Sequence, residues 1–111
     1  MGMSNPSALA EAMNRLWAQF LPQIQERVVT LESAAAALDA GSLTPAQCEE
    51  AASAAHKLAG VLGTFGLDQG TELAREAEFL YSSGSTSPSM LNGRPSELAA
   101  QLRTILAKRG K

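Results

Sequence analysis

The chain holds one histidine, His56, and one cysteine, Cys48, so chemistry at a nitrogen or sulfur nucleophile has only two addresses. Imidazole is substantially unprotonated near neutral pH, is nucleophilic, and forms an N-phosphoryl bond that can be passed on. Cys48 alone cannot close an internal disulfide, and one Cys with one His is too few ligands for a metal cage, so no metal and no cofactor are expected. The neighbours of His56 narrow the chemistry. On a helical wheel advancing about 100° per residue, Glu49, Ala52, Ser53, Gly60 and Gly63 fall within about 60° of it, while Ala51, Ala54, Leu58, Val61 and Leu62 gather opposite. The imidazole is expected to point to solvent among small side chains. Interior glycines cost a helix roughly 1 kcal/mol each relative to Ala. Glycines serving the core would sit on the core face; beside His56 they read as clearance for another molecule.

The elements that must position these residues follow from local signals. With 20 Ala and 15 Leu against 3 Val and 2 Ile, the composition favours helix, since β-branched residues are what strands require. From Pro6 the residues Leu9, Met13, Leu16, Trp17, Phe20, Ile24, Val28, Leu31, Ala35 and Leu38 recur every three or four positions, with Trp17 and Phe20 in the core. Pro22 lies within this stripe and predicts a short first helix, a break near Leu21 and a longer helix ending at Gly41. Thr44, Pro45 and Gln47 form a capping-box pattern that starts a helix at Pro45, running to about Gly63. Gly63 and Gly66 supply the turn. Asp68 caps the next helix, with Leu73, Ala77, Leu80 and Tyr81 inward and Glu72, Arg75, Glu76 and Glu78 around the remainder. Residues Ser82 to Pro95 read as a loop pinned by Met90 and Leu91. A last helix spans Pro95 to Lys108, with Leu98, Leu102, Ile105 and Leu106 inward and Lys108, Arg109 and Lys111 at its negative end. The expected fold class is all-α: an antiparallel four-helix bundle with a short extra N-terminal helix, one domain over residues 6–111 after a disordered or added start at residues 1–5.

Net charge is −2, with 9 Lys+Arg scattered along the chain, so no basic footprint for nucleic acid exists. No apolar run approaches the roughly 18 to 20 residues that cross a bilayer, and the N-terminus lacks a basic region followed by an apolar one. A cytoplasmic location without membrane contact is expected. Pro6 stands where an N-myristoylation pattern needs Ser or Thr. No Gly-Lys-Ser/Thr run is present to cradle nucleotide phosphates, so autophosphorylation from ATP is not expected.

The run Ala55-His56-Lys57-Leu58-Ala59-Gly60-Val61-Leu62-Gly63-Thr64-Phe65-Gly66-Leu67, followed by Glu72-Leu73-Ala74-Arg75-Glu76-Ala77-Glu78, resembles the histidine-containing phosphotransfer (HPt) domain of bacterial phosphorelays. The family pattern is His, three residues, Gly, then a further Gly six residues on. The match is specific over residues 45–81; the outer helices agree in pattern more than in sequence. The resemblance implies that His56 takes a phosphoryl group from an aspartyl phosphate on a response-regulator receiver domain and returns it to another. It implies partner clearance at Gly60, supported by Gly63; charge neutralisation by Lys57; and a hydrogen bond from Glu78 to the second imidazole nitrogen. Glu49, Ser53 and Arg75 would rim the docking face. Phe65 and Gly66 look structural, a plug under the turn and a positive-φ position. Many members carry Lys three residues after the histidine, where this chain has Ala59, which leaves Lys57 as the flanking cation. The implied partners are receiver domains and a hybrid histidine kinase, with Mg²⁺ on the receiver and a monomeric state for this chain.

Other readings stay open on the residues alone. A helical interaction module would leave His56 incidental. A histidine-kinase dimerisation helix pair usually has an acidic residue after its histidine, where Lys57 stands, and needs an ATP-binding domain. A hydrolase using Ser53 or Cys48 with His56 lacks an evident orienting carboxylate.

Overall fold

The computed structural model describes residues 6–82 and 92–109, which form four helices: α1 (Pro6–Asp39), α2 (Pro45–Thr64), α3 (Asp68–Ser82) and α4 (Arg94–Arg109). Successive helices run antiparallel. Phe65, just past α2, packs against Trp17 and Phe20 of α1, and Ser96 at the start of α4 meets Asp39 at the end of α1. Each helix packs on two neighbours, α1 on α2 and α4, α3 on α2 and α4, which closes the bundle around Ile24, Val28, Leu31, Leu58, Leu62, Leu98 and Leu102. The expected start at residues 1–5, the Met90 and Leu91 anchors and Lys111 lie outside the described residues.

The break expected at Leu21 does not occur. Helix α1 continues through Pro22 for 34 residues, so the separate short N-terminal helix is instead the first half of α1. Proline removes one hydrogen bond, to the Ala18 carbonyl, and both residues sit on the exposed side, where water can take that carbonyl. Trp17 before it and Ile24 after it are buried in one core, and this common anchorage holds both halves in line. At about 1.5 Å per residue α1 is roughly 51 Å long against roughly 30 Å for α2, within a molecule of 59 × 21 × 19 Å. The start of α1 therefore overhangs the bundle. Of the residues expected inward, Trp17 is buried, but Leu9 and Leu16 are exposed, Leu9 on the overhanging start of α1, and Phe20 is exposed although its ring packs edge-on against Phe65.

Local signals set the α2 boundaries. Thr44 Oγ1 accepts from the Gln47 backbone N–H at 3.1 Å, and Gln47 Oε1 accepts from the Thr44 N–H at 2.8 Å, the reciprocal capping box. At the other end the chain reverses at Gly66, φ +73°, while Gly63 stays within the helix. Two ion pairs tie α4 to its neighbours. Arg103 grips Glu32 of α1 through two hydrogen bonds of 2.6 and 2.7 Å, and Arg94 grips Glu76 of α3 and Glu97 of its own first turn. Hydrogen bonds from these arginines hold the Glu32 and Glu76 carboxyls below the usual range.

Candidate functional site

Helix α2 buries Ala51, Ala54, Ala55, Leu58, Ala59 and Leu62, which turns His56 outward, its side chain 73% exposed. A residue so placed contributes little to packing, and its environment must be read from the groups around it. The nearest is Glu78 on α3, whose Oε2 stands 2.9 Å from His56 Nδ1. A carboxylate can only accept, so this contact favours the ring proton on Nδ1, which in the neutral imidazole leaves the lone pair on Nε2. Glu78 is half-buried and comes from 22 residues further along the chain. Its placement depends on how α3 lies against α2.

The glycines on the His56 face differ from one another. A Cβ built on Gly60 would meet nothing within 4 Å, whereas one on Gly63 would stand 3.4 Å from Thr71 Oγ1. Nothing inside the fold requires Gly60 to be glycine; the space it leaves opens outward, one turn past the imidazole. Gly63 lies at the edge of that face, where α3 crosses. Glu49, Ser53 and Lys57 are exposed on α2 and Arg75 on α3, and none of the four has an ion-pair partner among the described residues. Lys57 lies about 100° round the helix from His56, toward the α1 side. Ser53 shares the His56 face, but among the described residues its hydroxyl makes no hydrogen bond to the imidazole, whose Nδ1 meets Glu78. Cys48 packs as a partly buried apolar group against the core. Among the described residues no three His, Cys, Asp or Glu side chains converge to hold a metal, and no helix is long and apolar enough to cross a membrane.

Two residues of the α2–α3 contact escaped sequence reasoning. Gly70 is buried at the start of α3, and a Cβ there would come within 2.9 Å of Leu62 Cδ1, so its glycine permits the close approach of the two helices. A glycine inside an amphipathic helix marks a position without a side chain, but not which neighbour it admits. Thr71, the next residue, donates its hydroxyl hydrogen bond to the Ala59 carbonyl of α2 at 3.1 Å. Nothing local marks it.

The chain matches the Hpt domain family over residues 15–108. It is also similar to Protein RcaC of Microchaete diplosiphon, 37% identical over 67 residues, which make up 60% of this chain and 10% of that protein. The matched stretch is therefore about a tenth of that relative's length. No solved structure matches the chain closely enough to report. Because the family match runs from the first core turn of α1 to the end of α4 and contains the exposed histidine with its carboxylate partner, the chain belongs to the Hpt domain family, the histidine phosphotransfer modules of two-component phosphorelays.

Proposed function

We propose that His56 is the residue that accepts and returns the phosphoryl group. The observation that carries this reading is the exposed imidazole whose Nδ1 is held by a carboxylate from a second helix. In the transfer, the Nε2 lone pair attacks the phosphorus of an aspartyl phosphate on a receiver domain. The N–P bond forms as the bond from phosphorus to the aspartate oxygen breaks, and the aspartate leaves as carboxylate. The product imidazole keeps its Nδ1 proton and carries a positive charge, which the Glu78 carboxylate offsets. Attack by a second receiver's aspartate reverses these steps.

Phosphoryl transfer is mainly positioning and charge neutralisation. This chain contributes the nucleophile, the orienting carboxylate and a docking face; the divalent metal and acidic pocket belong to the receiver. Gly60 leaves room for the receiver's site to reach Nε2, Lys57 neutralises phosphoryl charge from the α1 side, and Glu49, Ser53 and Arg75 border the contact. Receiver domains and a hybrid kinase are the partners, and the module works as a cytoplasmic monomer.

The test is intact mass of wild type and His56→Gln after incubation with phosphorylated receiver domains, before and after mild acid. An acid-labile phosphoryl adduct on wild type alone is expected. Absence of an adduct with every receiver would transfer the weight to a pure interaction module, and an adduct on His56→Gln would remove His56 from the acceptor role.

A further inference from the structure

Glu78 has several rotatable bonds and is only half-buried, so what keeps its carboxylate on His56 Nδ1 must lie in the packing of α3 on α2. Among the described residues these two helices share two side-chain hydrogen bonds. One is Glu78 with His56; the other is the Thr71 hydroxyl on the Ala59 carbonyl. Thr71 and Glu78 are seven residues apart, two helical turns, and so occupy the same face of α3. Ala59 lies less than one turn beyond His56. The second contact therefore clamps α3 onto α2 close to the acceptor histidine.

Thr71 differs from the other helical threonines among the described residues. Thr30, Thr64 and Thr104 each donate to a carbonyl four residues back in their own helix, the usual local choice for a threonine hydroxyl. Thr71 has the same option, and its backbone N–H does bond to the Leu67 carbonyl, but its hydroxyl crosses to α2. Two glycines lie beside that crossing. Gly70 allows α3 to approach Leu62 closely, and Gly63 leaves the hydroxyl room that a larger side chain would crowd.

We infer that Thr71 is a positioning residue for phosphotransfer: its bond to the Ala59 carbonyl sets the α2–α3 register that keeps Glu78 on His56 Nδ1 and so keeps the Nε2 lone pair available for attack. The inference rests on the reading of His56 as the acceptor. A hydrogen bond at 2.9 Å has little slack, because the interaction weakens beyond about 3.2 Å. A shift of α3 that carries the carboxylate past about 3.5 Å breaks the bond and returns the imidazole to its mixture of tautomers.

The experiment compares wild type, Thr71→Val, Thr71→Ser, Gly63→Val, Glu78→Ala and Thr71→Val/Glu78→Ala in the full chain, after thermal melts show which are folded. Imidazole ¹⁵N shifts of unphosphorylated His56 report the tautomer, and time courses with a phosphorylated receiver report transfer. Glu78→Ala is expected to slow transfer by roughly 10- to 100-fold, the range seen for carboxylates that orient metal-binding histidines. Thr71→Val is expected to move the ¹⁵N shifts toward those of Glu78→Ala and to slow transfer about threefold or more, with no further loss when Glu78 is already Ala, as for residues acting through one another. Thr71→Ser should restore both readouts. Gly63→Val, which crowds the same hydroxyl from α2, should reproduce the tautomer change and keeps the test available if Thr71→Val does not fold. Wild-type ¹⁵N shifts and transfer in Thr71→Val would overturn the proposal, as would an undiminished effect on the Glu78→Ala background or failure of serine to rescue. If wild type accepts no phosphoryl group while the tautomer follows this pattern, the acceptor reading fails and the positioning role of Thr71 stands.

Discussion

Replacing Gly60 should make the protein more stable and less active. The position lies inside α2, is exposed, and offers a new Cβ no atom within 4 Å. A side chain here meets no steric cost, and alanine recovers about 1 kcal/mol of helix propensity, glutamine nearly as much. For a domain near 100 residues, that stabilisation raises the melting temperature by roughly 4 to 8 °C. The effect on function has the opposite sign. Side chains on a helix lean toward its N-terminus and cover the turn before their own Cα, so a glutamine at position 60 lies over the imidazole at position 56. Displacing a docked receiver by an amount worth about 1.4 kcal/mol lowers kcat/KM tenfold, and Gly60→Gln is expected to lose at least this much, with Gly60→Ala between it and wild type. Circular-dichroism melts and time courses of phosphoryl acceptance measure the two effects on the same samples. A Gly60→Gln protein that melts below wild type would refute the reading of the site as open. Undiminished transfer would show that the receiver does not approach over this turn.

Gly66→Ala should destabilise without touching the histidine: at φ +73° a Cβ costs about 1 to 2 kcal/mol. Urea titration should show the midpoint fall with an unchanged slope, and an unchanged midpoint would mean that the turn adopts another conformation at no cost. Alkaline pH probes the opposite end of the bundle from Phe65. Burial pushes the Tyr81 hydroxyl up to about 12, and the negative charges of Cys48 and Asp39 nearby push less strongly in the same direction. Because the folded value lies above the unfolded value near 10, stability is complete below pH 10 and declines as pH rises through 12, by roughly 2 kcal/mol over that interval. Tyr81→Phe should flatten this decline, since it removes the titrating hydroxyl, which has no hydrogen-bond partner among the described residues. Retention of the full decline in Tyr81→Phe, measured by denaturant titration at each pH, would assign it to other groups.

Features decided within a few residues were legible in the sequence. The capping box at Thr44 and Gln47, the reversal at Gly66 and the outward direction of His56 depend on turn chemistry and on a 3.6-residue period, and both are written into neighbouring positions. Pro22 shows where local reasoning stops. Its penalty is local, but the packing of Trp17 and Ile24 into one core outweighs it. Leu9, Leu16 and Phe20 satisfy the same period as the buried residues of α1 and are nonetheless exposed, Leu9 on the stretch where α1 outruns its neighbours and Phe20 beside the Phe65 ring it touches. Periodicity identifies which face is apolar; it does not say how far the opposing helix extends.

The acceptor and its open face can therefore be read from α2 alone, whereas the groups that make the acceptor a defined nucleophile come from elsewhere. Resemblance to a family pointed to Glu78, but its 2.9 Å contact exists because α3 folds back antiparallel and settles at one register. Thr71, Ala59, Gly63 and Gly70 take part in setting that register, and no property of their individual types announces it. A helix needs only its own backbone hydrogen bonds and one apolar stripe to be specified. The distance between an imidazole and a carboxylate 22 residues away depends on how two such stripes interlock, and only the assembled bundle decides it.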